Sequence, residues 1–153
     1  MKNLNTPIKY KGNVKVAFVR NGKIIKKIKI NNSGTLDFFK LIVRTIAGEY
    51  TAIDEMPRYL NAYTKDNNKA IEIRVKCNDI NWDYDETTAY AKFHFLIPFN
   101  YCKDGNNGVI HKLVLENKAG IECATIDLNE NSGIKPDGKS NISIAWDMSI
   151  KGE

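Results

Sequence analysis

Residues 13–30 read NVKVAFVRNGKIIKKIKI, and their alternation decides the fold class. Val14, Val16 and Phe18 recur at every second position, the period of a strand with one apolar face, while Lys15 and Arg20 bracket the approach to a turn. Asn21-Gly22 is the two-residue signature of a hairpin, because a type I′ turn needs positive φ at both central positions and these residue types tolerate it best. The returning run places Ile24, Ile28 and Ile30 on one face and Ile25, Lys27 and Lys29 on the other. Lys26 falls on the apolar side, so a bulge or an edge position is expected there.

This hairpin is also where the charge is concentrated. Nine of the 23 lysines and arginines lie in the first 36 positions, which contain no acidic residue, so the 14 others face all 18 carboxylates. One end of the chain is therefore suited to an anionic neighbour and the remainder is net negative. The overall charge of +5 favours contact with nucleic acid or an acidic protein surface, a statement about attraction rather than fold.

Beyond the hairpin, 31–34 (NNSG) reads as a loop and Thr35 as the N-cap of a helix running to about Ala47. Asp37, Lys40 and Arg44 form one narrow polar stripe, whereas Leu36, Phe38, Phe39, Leu41, Ile42, Val43 and Ile46 cover the rest. Such a helix should be largely buried, against a sheet or a neighbouring subunit. Gly48 supplies its left-handed stop.

Further strands are expected over 58–63, 71–77, 87–99, 109–116, 121–128 and 141–150. Pro98 suggests that the last residues of 87–99 lie at a sheet edge. The run 129–140 is polar, contains glycine and is interrupted by Pro136, so it reads as a long exposed loop. About eight strands at this spacing, with no repeated β-helix-β unit, imply a mainly β chain. The expected architecture is a single domain over 1–153, an antiparallel β-sandwich carrying one inserted, largely buried helix near 35–47. A length of 153 residues is sufficient for one full core. No window approaches the roughly 18 apolar residues of a membrane span, and the start MKNLNTPIKYKGN lacks the apolar stretch of a secretory signal.

The candidate contact residues are Lys9, Lys11, Lys15, Arg20, Lys23, Lys26, Lys27 and Lys29, together with Phe38, Phe39 and Val43 of the helix. The lysines could track a phosphate backbone, dock on an acidic protein, or simply form a wet face that discourages edge-to-edge aggregation. Phe18 is the sole aromatic between Tyr10 and Phe38 and points with the core set, which disfavours single-strand recognition by stacking.

An acidic stretch, 78–86, reads as a solvated hairpin tip. Asp79, Asp83 and Asp85 could offer oxygen ligands to calcium, but the spacing is not that of an EF-hand and lacks its central glycine. The same tip could serve as the acidic partner for another copy's basic hairpin, a head-to-tail contact that forms rings. Trp82, Tyr84 and Tyr90 form an aromatic group suited either to cross-strand packing or to stacking on a sugar.

Cys77, Cys102 and Cys123 have no CxxC spacing and read as buried small hydrophobes in a reducing compartment, with a Cys77–Cys102 bridge left open. His94 and His111 have no metal or triad spacing. No nucleophile elbow and no phosphate-cradling glycine loop occurs, so neither catalysis nor a cofactor is expected.

In its layout the chain resembles small virion structural proteins of tailed bacteriophages. The similar parts are KVAFVRNGKIIKKIKI, the loop and helix NNSGTLDFFKLIVRTIAGEY, the following MPRYLNAY and the closing SIAWDMSI. The resemblance implies a non-enzymatic homo-oligomer packed among other virion proteins at the tail, the head-tail collar or the capsid surface, made in the host bacterial cytoplasm. The alternatives are a carbohydrate- or cell-surface-binding module using Trp82 and Tyr84, and a small basic nucleic-acid-binding protein.

Overall fold

In the computed structural model the described residues are 9–34, 40, 42–44, 47–48, 56–66, 69–102, 108–128 and 133–151. They form nine strands: β1 (Lys9–Arg20), β2 (Lys23–Gly34), β3 (Tyr59–Asp66), β4 (Lys69–Lys76), β5 (Asp79–Tyr84), β6 (Thr88–Ile97), β7 (Val109–Glu116), β8 (Glu122–Asp127) and β9 (Asn141–Lys151). All pairings are antiparallel, in the order β4-β3-β7-β8-β2-β1-β9-β6-β5.

The expected hairpin is present. Asn21 and Gly22 both have positive φ, 52° and 72°. The expected bulge is present too, and it moves a residue. Phe18 pairs with Lys26 but Val19 pairs with Ile24, leaving Ile25 unmatched. Ile24 is thereby carried off the face of Ile28 and Ile30, and Ile24 and Ile25 are both exposed. Lys26 takes the inward position at the hairpin end, its ammonium 5.6 Å from the Phe18 ring centroid.

Residues 31–34, expected as a loop, continue β2. Ser33 and Gly34 pair with Thr125 and Ala124 of β8, so this one strand belongs to both sheets. On its first side stand β1, β9, β6 and β5; on its second stand β8, β7, β3 and β4. The inner faces contribute one hydrophobic cluster that includes Val14, Val16, Phe95, Ile144 and Trp146 from the first set and Leu60, Leu113, Leu115 and Ile126 from the second. Asn61 and Val114, cross-strand partners on the opposite face, are buried as well. The second set is thus covered on both faces at that point.

Three further expectations change. The ninth strand, β5, comes from the acidic stretch read as a tip: Ile80, Trp82 and Tyr84 alternate with Asp79, Asn81 and Asp83, and carboxylates on an edge strand are a usual guard against aggregation. The strand expected over 87–99 ends at Ile97; β6 is interior, and Pro98 leads into a 3₁₀ turn, Phe99–Cys102. Of the expected loop 129–140, residues 129–132 lie outside the described residues, but Ile134, Pro136 and Ser140 are buried and Ile134 bridges Ile110 of β7.

The helix expected near 35–47 is described only at Lys40 and 42–44, where it amounts to a short turn closed by Ala47 N donating to Val43 O at 2.9 Å. Gly48 follows with φ 78°, as its stop role requires. Val43 is exposed. Phe38 and Phe39 lie outside the described residues.

Asp137 anchors residues 137–140 of the last loop. It accepts from Lys139 N (2.8 Å), Ser140 N (2.6 Å), Ser140 Oγ (2.7 Å) and the Arg20 guanidinium (2.7 Å). Burial pushes its carboxyl up, but these hydrogen bonds outweigh burial and hold the group well below the ordinary carboxylate range. A depressed folded value means the contribution is fully present above the unfolded carboxyl pKa near 4 and fades as pH falls from there, disappearing only through the much lower folded value. Asp137→Asn is expected to cost about 1 to 2 kcal/mol at pH 7, since Arg20 and Asp137 are partly solvated, and to converge with the parent in acid. Urea unfolding at pH 7 and pH 3 measures it, with a smaller deficit expected at pH 3; an equal deficit at both would refute the assignment.

Candidate functional site

The outer face of the β2-β1-β9-β6-β5 set carries the lysines, and register places them. Lys15 lies opposite Lys29 on one side and Ala145 on the other; Ala17 lies between Lys27 and Ser143. These residues border a depression of about 500 Å³ whose floor is Ala17, Ser143 and Ala145 and whose rim is Lys15, Lys27 and Lys29. Its small floor residues let a guest approach the sheet, and no carboxylate among the described residues pairs with the rim. Directly opposed like charges destabilise a sheet by a few tenths of a kcal/mol or more, so Lys15 against Lys29 is an unrelieved cost in the isolated chain.

The other candidate lysines separate into different roles. Lys11 and Lys23 are exposed, Lys9 lies on the β1 backbone opposite Lys151, and Lys26 sits over Phe18. Arg20 is engaged by Asp137 and Ser140, the latter at 3.2 Å, and is structural rather than free for a partner.

Across the same face the charge reverses. The row through Lys29 and Lys15 continues through Ala145 and His94 to Asp79 on β5, and two rows along the same face, past the Lys92–Asp147 ion pair at 3.8 Å, Asp83 lies opposite Tyr90. At about 4.8 Å per strand Asp79 stands about 14 Å from Lys15 and about 19 Å from Lys29. The Asp83 charge is the leading cause that raises the Tyr90 hydroxyl pKa, and Tyr90 Oη donates to Asp83 Oδ2 at 3.3 Å.

The acidic stretch does not gather around a cation. Asp79 and Asp83 are four residues apart on a strand, about 13 Å, against metal–oxygen distances of about 2.4 Å. Asp85 Oδ1 is taken by Thr87 N and Thr88 N, both at 2.8 Å, which fix the turn after β5 and lower its pKa. Among the described residues no three His, Cys, Asp or Glu side chains are grouped to hold a metal ion.

The aromatic group is divided. Tyr90 is on the outer face, while Trp82 and Tyr84 project from the inner face with rings 6.1 Å apart and 13° from parallel. Their cross-strand partners are Ala91 and Ala89, too small to cover them, and the two residues remain 74% and 68% exposed. Residues 82–90 therefore form an arm beyond the core, open on both faces. The expected solvated hairpin tip is present, but it includes a six-residue strand, β5, whose signal was the spacing of Ile80, Trp82 and Tyr84.

Cys77 is a free thiol donating to Asp79 O at 3.0 Å, with its pKa raised by burial, and Cys123 is buried with its Sγ 3.7 Å from Ile121 O. His94 and His111 stand in different sheets, on β6 and β7; His94 Nε2 lies 3.4 Å from Asn81 Nδ2. Among the described residues no helix is long and apolar enough to cross a membrane. The chain matches no protein-family model, no curated protein and no solved structure.

Proposed function

We propose that this chain is a non-enzymatic structural protein of a tailed-bacteriophage virion, a two-layer β-sandwich that assembles with copies of itself and other particle proteins. The observation that carries the assembly reading is the unpaired lysine rim around a small-residue floor: Lys15, Lys27 and Lys29 are held on a sheet face rather than on mobile loops, so their relative positions are fixed before any partner arrives. The charge reversal toward Asp79 and Asp83 gives the same face both signs, which favours repeated association over a single encounter. The virion setting rests on the resemblance of the hairpin, the MPRYLNAY segment and the closing SIAWDMSI strand.

Light scattering over a concentration series tests the reading. Growth from one copy to a defined multimer is the expected result, and electron microscopy of that material should reveal rings or particle fragments. A single copy at every concentration would overturn it. Affinity for DNA or RNA falling steeply with salt would instead favour the nucleic-acid reading of the same lysines.

A further inference from the structure

We infer that the arm of one copy, residues 82–90, docks on the lysine-rimmed depression of the next copy. The inference rests on the assembly reading and names the surfaces that carry it. Two independent features of the arm need an occupant opposite. Trp82 and Tyr84 expose most of their area, and burying an aromatic is among the larger gains available at an interface. Asp83, Asp85 and Glu86 add negative charge at the same end.

The depression complements both. Ala17, Ser143 and Ala145 leave the sheet surface low, Ile24 and Ile25 add exposed apolar area on the neighbouring part of β2, and Lys15, Lys27 and Lys29 supply the positive charge. Ammonium groups are attracted to both aromatic faces and carboxylates, so the lysines serve Trp82 and Tyr84 on the arm's inner face together with Asp85 and Glu86 of its turn, while Asp83, on the outer face, adds to the charge of the same end. Docking also relieves the opposition of Lys15 and Lys29. Because arm and depression are different patches near opposite ends of one set of strands, each copy can give one contact while receiving another, a heterologous arrangement that propagates from copy to copy.

The chain contains two tryptophans, and Trp146 is fully buried, so a change in acrylamide quenching reports on Trp82. Quenching is measured alongside light scattering on the full chain. Trp82 should become shielded over the same concentration range in which the multimer forms. Lys15→Glu with Lys27→Glu should raise that range by at least about tenfold, and so should Asp83→Lys with Glu86→Lys. All four positions are solvent-facing, and the near-ultraviolet dichroism of Trp146 verifies that each double variant is folded. Asp85 is left intact because it holds the turn. Mixing the two double variants should restore assembly, since the reversed arm then meets the reversed rim.

A multimer in which Trp82 stays open to acrylamide, or double variants that assemble like the parent, would overturn the inference while leaving the assembly reading intact. A chain that remains a single copy throughout would overturn both. Shielding of Trp82 by an added oligosaccharide, without self-association, would make the arm a sugar platform and reject the docking.

Discussion

Replacing Trp146 by alanine is expected to lower the unfolding free energy by about 4 kcal/mol, a large part of the 5 to 15 kcal/mol that separates a typical folded domain from its unfolded chain. Trp146 is fully buried on β9 and is flanked in register by Val14 of β1 and Phe93 of β6. Its removal leaves a void bordered by β-sheet side chains that hydrogen-bonded backbones prevent from collapsing inward. Phenylalanine should behave differently. Among the described residues the indole Nε1 finds no hydrogen-bond acceptor, so part of what tryptophan gains by burial is already offset by a desolvated donor. Trp146→Phe is therefore expected to cost less than about 1.5 kcal/mol. Urea unfolding followed by far-ultraviolet dichroism compares the two, and an alanine variant no weaker than the phenylalanine one would contradict the central place given to this side chain.

Gly133→Ala is expected to cost about 3 kcal/mol, from left-handed backbone strain together with a collision. Gly133 has φ +69°, and a Cβ there would stand 2.6 Å from the carbonyl oxygen of Ile110 and against Val109. That oxygen cannot withdraw, because it accepts from Ile134 N at 2.9 Å while Ile110 N donates to Ile134 O at 2.8 Å. The bridge that returns the chain to β7 would have to open. Gly120→Ala is the matched comparison: φ is +88°, but nothing lies within 4 Å of the added carbon, so only the strain of about 1 to 2 kcal/mol applies. Thermal melts of the pair should differ clearly, and equal losses would show that the contact with Ile110 is not rigid.

The parts of the fold legible in the sequence are those in which local pattern and tertiary environment agree. Val14, Val16 and Phe18, like Ile142, Ile144, Trp146 and Met148, alternate because one face of their strands meets the core, and that period survives in the chain as written. Asn21-Gly22 and the misplaced Lys26 likewise announced a turn and a bulge through local stereochemistry. What escaped notice depends on distant partners. Residues 31–34 resemble a loop in composition, yet Ser33 and Gly34 extend a strand because β8 presents a matching edge. Ile134 and Pro136 sit in a polar run and are buried because β7 and the Asp137 cluster draw that run inward. The lysines were legible as a group, but which of them are free was not: Arg20 is removed from the surface set by Asp137, a residue 117 positions away. Trp82 and Tyr84 were singled out with Tyr90, and only the pairing of β5 with β6 separates them onto opposite faces.

The position of β1 has a temporal implication for a chain made from its amino end. β1 has β2 on one side, available as soon as the hairpin emerges, but its other neighbour is β9, whose Lys151 pairs with Lys9. Translation must run through β9 before that second edge is covered, and contacts of such long sequence separation are the slowest to form. Until then the nascent hairpin presents an open edge, and its like-charged lysines repel hairpins on adjacent ribosomes during the interval when premature pairing would do most harm.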